Sequence, residues 1–161
     1  MPSTANYDQQ RIASKELWKK IPGWDELCAH LGDQPTFGDG EIDEILIKRN
    51  APSHICVYIY NGRSDETVRY ALVTLYFANV VDLQLDGITP QNVIGEIILR
   101  NGFEREERIG FTVGQMPDDW DLTIEPCFGT DGWLRVQGLS IAFEPAQPSD
   151  MIMNRITSTR G

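Results

Sequence analysis

The stretch His54-Ile55-Cys56-Val57-Tyr58-Ile59-Tyr60, followed by Asn61-Gly62-Arg63-Ser64-Asp65-Glu66 and a second apolar run from about Thr67 to Phe77, decides the fold class. In the first run Ile55, Val57 and Ile59 recur at every second residue. That is the period of a strand with one buried face. Asn61-Gly62 is the strongest hairpin dipeptide, because a tight turn needs residues that accept positive φ. In the second run Val73, Leu75 and Phe77 lie on one side, and Leu72 and Tyr76 on the other. A strand apolar on both faces belongs in the centre of a sheet.

The same period continues downstream. Asn79 reads as a break, after which Val81-Asp82-Leu83-Gln84-Leu85-Asp86-Gly87 alternates. Thr89 to Ile94 reads as one helical turn, with Thr89 capping and Pro90 in the first position. Glu96 to Arg100, Ile109 to Val113 and Asp121 to Glu125 read as strands. The charge run Glu104-Arg105-Glu106-Glu107-Arg108 reads as a solvated edge, and Pro117-Asp118-Asp119-Trp120 as a turn. A last strand spans Trp133 to Phe143, with Gly138 as a bulge.

Upstream the period changes to that of a helix. Ser14 to Lys20 reads as a first helix, Ser14 capping it and Leu17, Trp18 and Ile21 forming its apolar side. Trp24, Leu27, Cys28 and Leu31 recur as i, i+3, i+4 and i+7 of a second, stopped by Gly32. The expectation is an α+β, mostly β, domain. Its two short N-terminal helices pack on an antiparallel twisted sheet or a β-sandwich. Residues 1–13 form a flexible N-terminal arm, 14–145 a single β-rich domain, and 146–161 a C-terminal tail.

The bulk composition narrows the function. With 161 residues, 41% hydrophobic and 24% charged, the chain can bury one core without staples. Its net charge of −10 repels phosphate backbones and anionic bilayers, so neither nucleic acid nor membrane is an expected partner. It suits a basic protein. No apolar run approaches the roughly 20 residues of a membrane span. The polar segment Met1 to Asp8 lacks the apolar core of a secretory signal, and the expected location is the cytoplasm.

Catalytic and metal chemistry find no motif. There is no Ser-His-Asp or Cys-His arrangement with a nucleophile elbow, no Gly-rich nucleotide loop and no aromatic-basic stripe. Cys28, Cys56 and Cys127 are widely spaced, and the histidines are His30 and His54 alone. Zinc needs about four N or S ligands. Cys28 and His30, two apart on a helix, face different ways, so no metal and no cofactor are expected.

Two clusters remain as candidate partner-binding residues. Asp39, Glu41, Asp43 and Glu44 form the densest acidic group, with Glu41 and Asp43 pointing the same way along a strand. They suit a basic groove on a partner, or in their plainer reading a solvated strand face with Asp39 closing a turn. An alternative function, a small-ligand-binding protein or hydrolase, would use the carboxylates near Asp39 and Glu41 in a pocket between helix and sheet. Asp118, Asp119 and Trp120 form the second cluster, either an interface anchor or a tryptophan folded onto the core.

Three blocks carry a resemblance. They are Trp24 with Pro35-Thr36-Phe37-Gly38-Asp39-Gly40-Glu41-Ile42; the run Tyr70 to Leu85 with Gln91-Asn92-Val93-Ile94; and Leu122-Thr123-Ile124-Glu125-Pro126-Cys127-Phe128-Gly129. From about Trp24 to Phe143 the chain resembles the immunity protein 50 family of bacterial polymorphic toxin systems. Members of that family often read Phe-His-Asp-Ala-Glu in the first block. Here Phe37, Asp39 and Glu41 match, and Gly38 replaces the histidine. The resemblance implies a mostly β, non-catalytic antidote that binds and neutralises a cognate toxin domain, with no catalytic residues to carry over.

Overall fold

A computed structural model describes residues 4–49, 51–63, 65–102 and 119–151. Its elements run α1 (Thr4–Trp18), α2 (Trp24–Leu31), β1 (Glu41–Leu46), β2 (Ser53–Tyr60), β3 (Tyr70–Asp86), β4 (Val93–Asn101), β5 (Asp119–Phe128) and β6 (Asp131–Ala146), then a short 3-10 turn at Pro148–Asp150. The fold is α+β and mostly β. Among the described residues all strand pairings are antiparallel, and the six strands close as a twisted barrel in the order β1-β2-β3-β6-β5-β4.

Two long strands set the shape. β3 and β6 pair from Tyr70↔Ala146 to Asp86↔Asp131. β2 covers only the first half of β3, from Tyr70 to Phe77, and β5 only the part of β6 between Gly132 and Gln137. The flanking strands are therefore staggered along the ribbon, which is the shear that barrel closure requires. Asn79 does not end β3 as expected: it pairs with Gln137, and the strand, 17 residues long in all, continues to Asp86. A bulge between Val80 and Asp82 takes up the irregularity and adds twist. Gly138, the expected bulge, holds its register but sits at φ 64, where a side chain would meet Ala78.

Period two delivers the core. Ile55, Val57 and Ile59 of β2 and Ala71, Val73, Leu75 and Phe77 of β3 are fully buried. They join Leu99 of β4, Leu122 and Ile124 of β5 and Leu134, Val136, Leu139 and Ile141 of β6. The helices add Trp18, Ile21, Trp24, Leu27 and Leu31 to the same cluster, with Trp18 and Trp24 stacked at 5.4 Å between ring centroids. Gly23 lets this layer dock. At φ 95 it precedes α2 and lies against β6, where a Cβ would come within 1.9 Å of the Ile141 carbonyl oxygen; the Ile141 N–H donates to Pro22 O (2.8 Å).

Closure of the barrel is brief. β1 meets β4 at Glu41↔Val93, supported by Ile42 N–H to Asn92 O (3.0 Å) and Ile94 N–H to Gly40 O (2.8 Å). Past that point α1 lies against β4, where the Leu99 N–H donates to Ser14 Oγ (2.8 Å) and Arg11 pairs with Glu96 (2.9 Å). Ser14 is thus no helix cap. Residues 4–13, expected in a flexible arm, are helical, because Gln9, Gln10, Arg11 and Ala13 are good helix formers and the helix packs on the sheet.

Local differences elsewhere share one cause, in that strand pairing overrides turn signals. Val93 and Ile94 belong to β4, so the expected helical turn at 89–94 is absent. Thr89 and Asn92 instead close a side-chain-bonded turn, the Asn92 amide donating to Thr89 O (2.7 Å). Asp119 and Trp120, expected in a turn, begin β5, paired with Gln137 and Val136. The charge run 104–108 and the expected strand 109–113 lie outside the described residues, as does most of the expected C-terminal tail.

Candidate functional site

The outer face of β1, β2 and β3 gathers the chemistry. On β2 the outward positions are His54, Cys56, Tyr58 and Tyr60, and opposite them on β3 stand Tyr76, Thr74, Leu72 and Tyr70. Inward Ile55, Val57 and Ile59 leave only these side chains to face out, since side chains alternate along a strand. Four tyrosines therefore share one face. Tyr60 and Tyr70 stack at 5.8 Å, His54 meets Tyr76 edge-on at 6.0 Å, and Tyr76 is exposed.

The acidic candidates border this face unevenly. Asp39, Asp43 and Glu44 are exposed, and Glu41 is buried at 4%. The expected common face of Glu41 and Asp43 fails because a bulge between Ile42 and Glu44 makes Asp43 the extra residue. Asp39 sits at φ 63 in the turn before β1, its N–H donating to Ile94 O (2.8 Å). Its charge is close enough to oppose ionisation of Tyr60, whose pKa is raised first by burial and then by Asp39.

Glu44, His54 and Cys56 come together on this face. Glu44 is the cross-strand partner of Cys56, and His54 is two residues from Cys56 on the same side of β2. Glu44 Oε1 contacts His54 Nε2, and Cys56 Sγ lies 3.5 Å from Thr74 Oγ1. Burial raises the Cys56 thiol pKa; the Thr74 hydroxyl works against that, and the charges of Glu44 and Asp43 add to it. The donor atoms of Glu44, His54 and Cys56 all lie within 4.8 Å of one another. Sequence spacing pointed to no ligand set, since Cys28 and His30, two apart on a helix, face different ways. The signal that was there is His54-x-Cys56 on a strand, which puts imidazole and thiol side by side, with Glu44 ten residues upstream across a hairpin.

The second candidate cluster divides. Asp118 lies outside the described residues. Asp119 is 2% exposed, and Trp120 packs against the core rather than standing free as an anchor. Beside them Arg135 is 1% exposed, its Nε 3.2 Å from Asp121 Oδ1 and its Nη2 donating to Gly102 O (3.1 Å). Arg100, Asp121, Arg135 and Asp82 hold consecutive register positions across β4, β5, β6 and β3, an alternation of charge along one row. This polar row, buried at Asp121 and Arg135 and half-buried at Arg100 and Asp82, had no signature in the sequence, because its members are far apart in the chain.

A cavity of about 410 Å³ lies between α1, the 33–38 segment and β4, lined in part by Arg11, Trp18, Trp24, Phe37 and Glu96. It lies between helix and sheet, but the small-ligand reading places its pocket at the carboxylates near Asp39 and Glu41. The carboxylates of this cavity are Asp33 and Glu96; Asp39 and Glu41 do not line it.

No family model, no curated protein and no solved structure matches the chain. No helix among the described residues is long and apolar enough to cross a membrane.

Proposed function

We propose that this protein is a non-catalytic antidote, of the kind the immunity protein 50 family supplies, which binds a basic toxin domain and occludes it. The observation that supports this reading is the tyrosine face of β2 and β3, bordered by Asp39, Asp43 and Glu44. Tyrosines give large contact area at small entropic cost, and they are enriched in protein interfaces. Exposed carboxylates beside them favour a positive surface and speed its encounter. The net charge of −10 acts in the same direction over longer range. Glu41 and Asp119, buried within the chain, are not among the proposed contacts.

The test is to identify the neighbouring gene and, where it encodes a toxin domain, to co-express the two and measure association and dissociation rates. Asp39→Asn, Asp43→Asn and Glu44→Gln together should slow association and flatten its salt dependence. Tyr76→Ala should act mainly on dissociation. Absence of any complex and of any protection by the wild type would end the antidote reading. Unchanged kinetics in both variants would move the interface to another face.

A further inference from the structure

Glu44, His54 and Cys56 present one oxygen, one nitrogen and one sulfur on the outer face of adjacent strands. We propose that they form a binding site for a zinc-class divalent cation, with three protein ligands and a fourth position for water or another donor.

The donor set selects the metal. Thiolate and imidazole are poor partners for Mg²⁺ and Ca²⁺, which take oxygen. Zn²⁺ accepts Cys, His and Glu in one tetrahedral shell, at about 2.3 Å to sulfur and 2.0–2.2 Å to nitrogen and oxygen. Such a shell spaces its donors by about 3.3–3.7 Å. The three donor atoms here lie within 4.8 Å of one another, and Glu44 Oε1 and His54 Nε2 are in hydrogen-bond contact, closer than the shell allows, so the Glu44 carboxylate must draw back from the imidazole to admit the ion. The adjustment falls on Glu44, whose side chain is 57% exposed and free to change rotamer, and not on the backbone.

The sheet holds the other two ligands in place. His54 and Cys56 are on a strand paired on both sides, with β1 and β3. Tyr76 packs edge-on against the imidazole, and the Thr74 hydroxyl sits 3.5 Å from the sulfur. The hydrogen bond between His54 Nε2 and Glu44 Oε1 keeps two of the donors converged on one point without metal. Loading replaces that shared proton and releases the Cys56 thiol proton, so binding weakens as pH falls. The site does not rest on the antidote reading, because the isolated chain carries all three ligands.

Titration of the full-length protein with Co²⁺ tests it. The expected result is a thiolate-to-cobalt charge-transfer band with tetrahedral d–d absorption, saturating at about one metal per chain and displaced by Zn²⁺. Cys56→Ser should abolish the charge-transfer band, and Cys28→Ser should leave it intact. His54→Ala and Glu44→Gln should each weaken Co²⁺ at least about tenfold, since each removes one of three ligands. Circular dichroism of each variant separates ligand loss from misfolding. No charge-transfer band in the wild type, a band that survives in Cys56→Ser, or unchanged affinity in Glu44→Gln would each overturn the proposal.

Discussion

The Leu99 N–H donates to the hydroxyl of Ser14, 2.8 Å away and 85 residues earlier in the chain, where β1 no longer runs beside β4. A helical side chain there does the work of a neighbouring strand. The barrel can close over so few β1–β4 bonds because α1 covers the edge that β1 leaves.

Ser14→Ala removes that acceptor and leaves a buried N–H unpaired, which costs about 1–3 kcal/mol. Chemical denaturation should show the loss, and hydrogen exchange at the Leu99 amide should speed up. An unchanged midpoint with unchanged exchange would mean that α1 does not complete this edge.

Arg135 and Asp121 form a buried ion pair, with 1% and 6% side-chain exposure. Arg135→Met alone takes a buried charged partner from the Asp121 carboxylate and should destabilise by about 3–5 kcal/mol. The double variant Arg135→Met, Asp121→Leu should recover part of that loss, because both charges of the buried pair are then gone. Additive losses in the double variant would show that the two side chains act independently.

Phe77 is fully enclosed in the barrel. Phe77→Ala should cost about 3–5 kcal/mol from lost transfer energy and the cavity left behind. A loss under about 1 kcal/mol would mean that the surrounding side chains collapse to fill the space.

Stability should fall on the alkaline side. Burial raises the pKa of Cys28 and Cys56 above the usual 9.0 and that of Tyr60 above 10.0, with neighbouring acids adding to each. Each neutral form is favoured by folding. That contribution is fully present below the unfolded pKa values and is lost as pH rises through the raised ones. The urea midpoint should therefore begin to drop above about pH 9. Cys28→Ser with Cys56→Ser should flatten the first part of the drop. A midpoint that rises between about pH 9 and 10.5 would contradict the sign.

The face pattern of β2 and the inner half of β3 was legible because alternation is local: Ile55, Val57, Ile59, Val73, Leu75 and Phe77 are buried, as their spacing predicts. The apolar side of α2 was legible in the same way, with Trp24, Leu27 and Leu31 all buried. Turn signals were less dependable. Asn79 and Asp119 read as breaks, yet both sit in paired strands, because ladder hydrogen bonds outweigh the weak preferences of single residues. Ser14 read as a cap because its partner lies in β4, beyond any window of periodicity.

By itself, then, the sequence determined the class of this protein: helices first, strands after, one face of each buried, and an acidic surface. Those properties follow from side-chain spacing and from charge, which need no partner strand to be counted. Only the tertiary structure decided that the sheet closes into a barrel, since closure depends on the stagger of β2 and β5 along the β3–β6 ribbon. It also decided which acids remain accessible. A one-residue bulge at Asp43 brings Glu44 opposite Cys56; Asp43 and Glu44 are exposed, and Glu41 is buried. The meeting of Glu44 with His54 and Cys56 was decided there too, because cross-strand register, not spacing along the chain, sets which donors share a point in space.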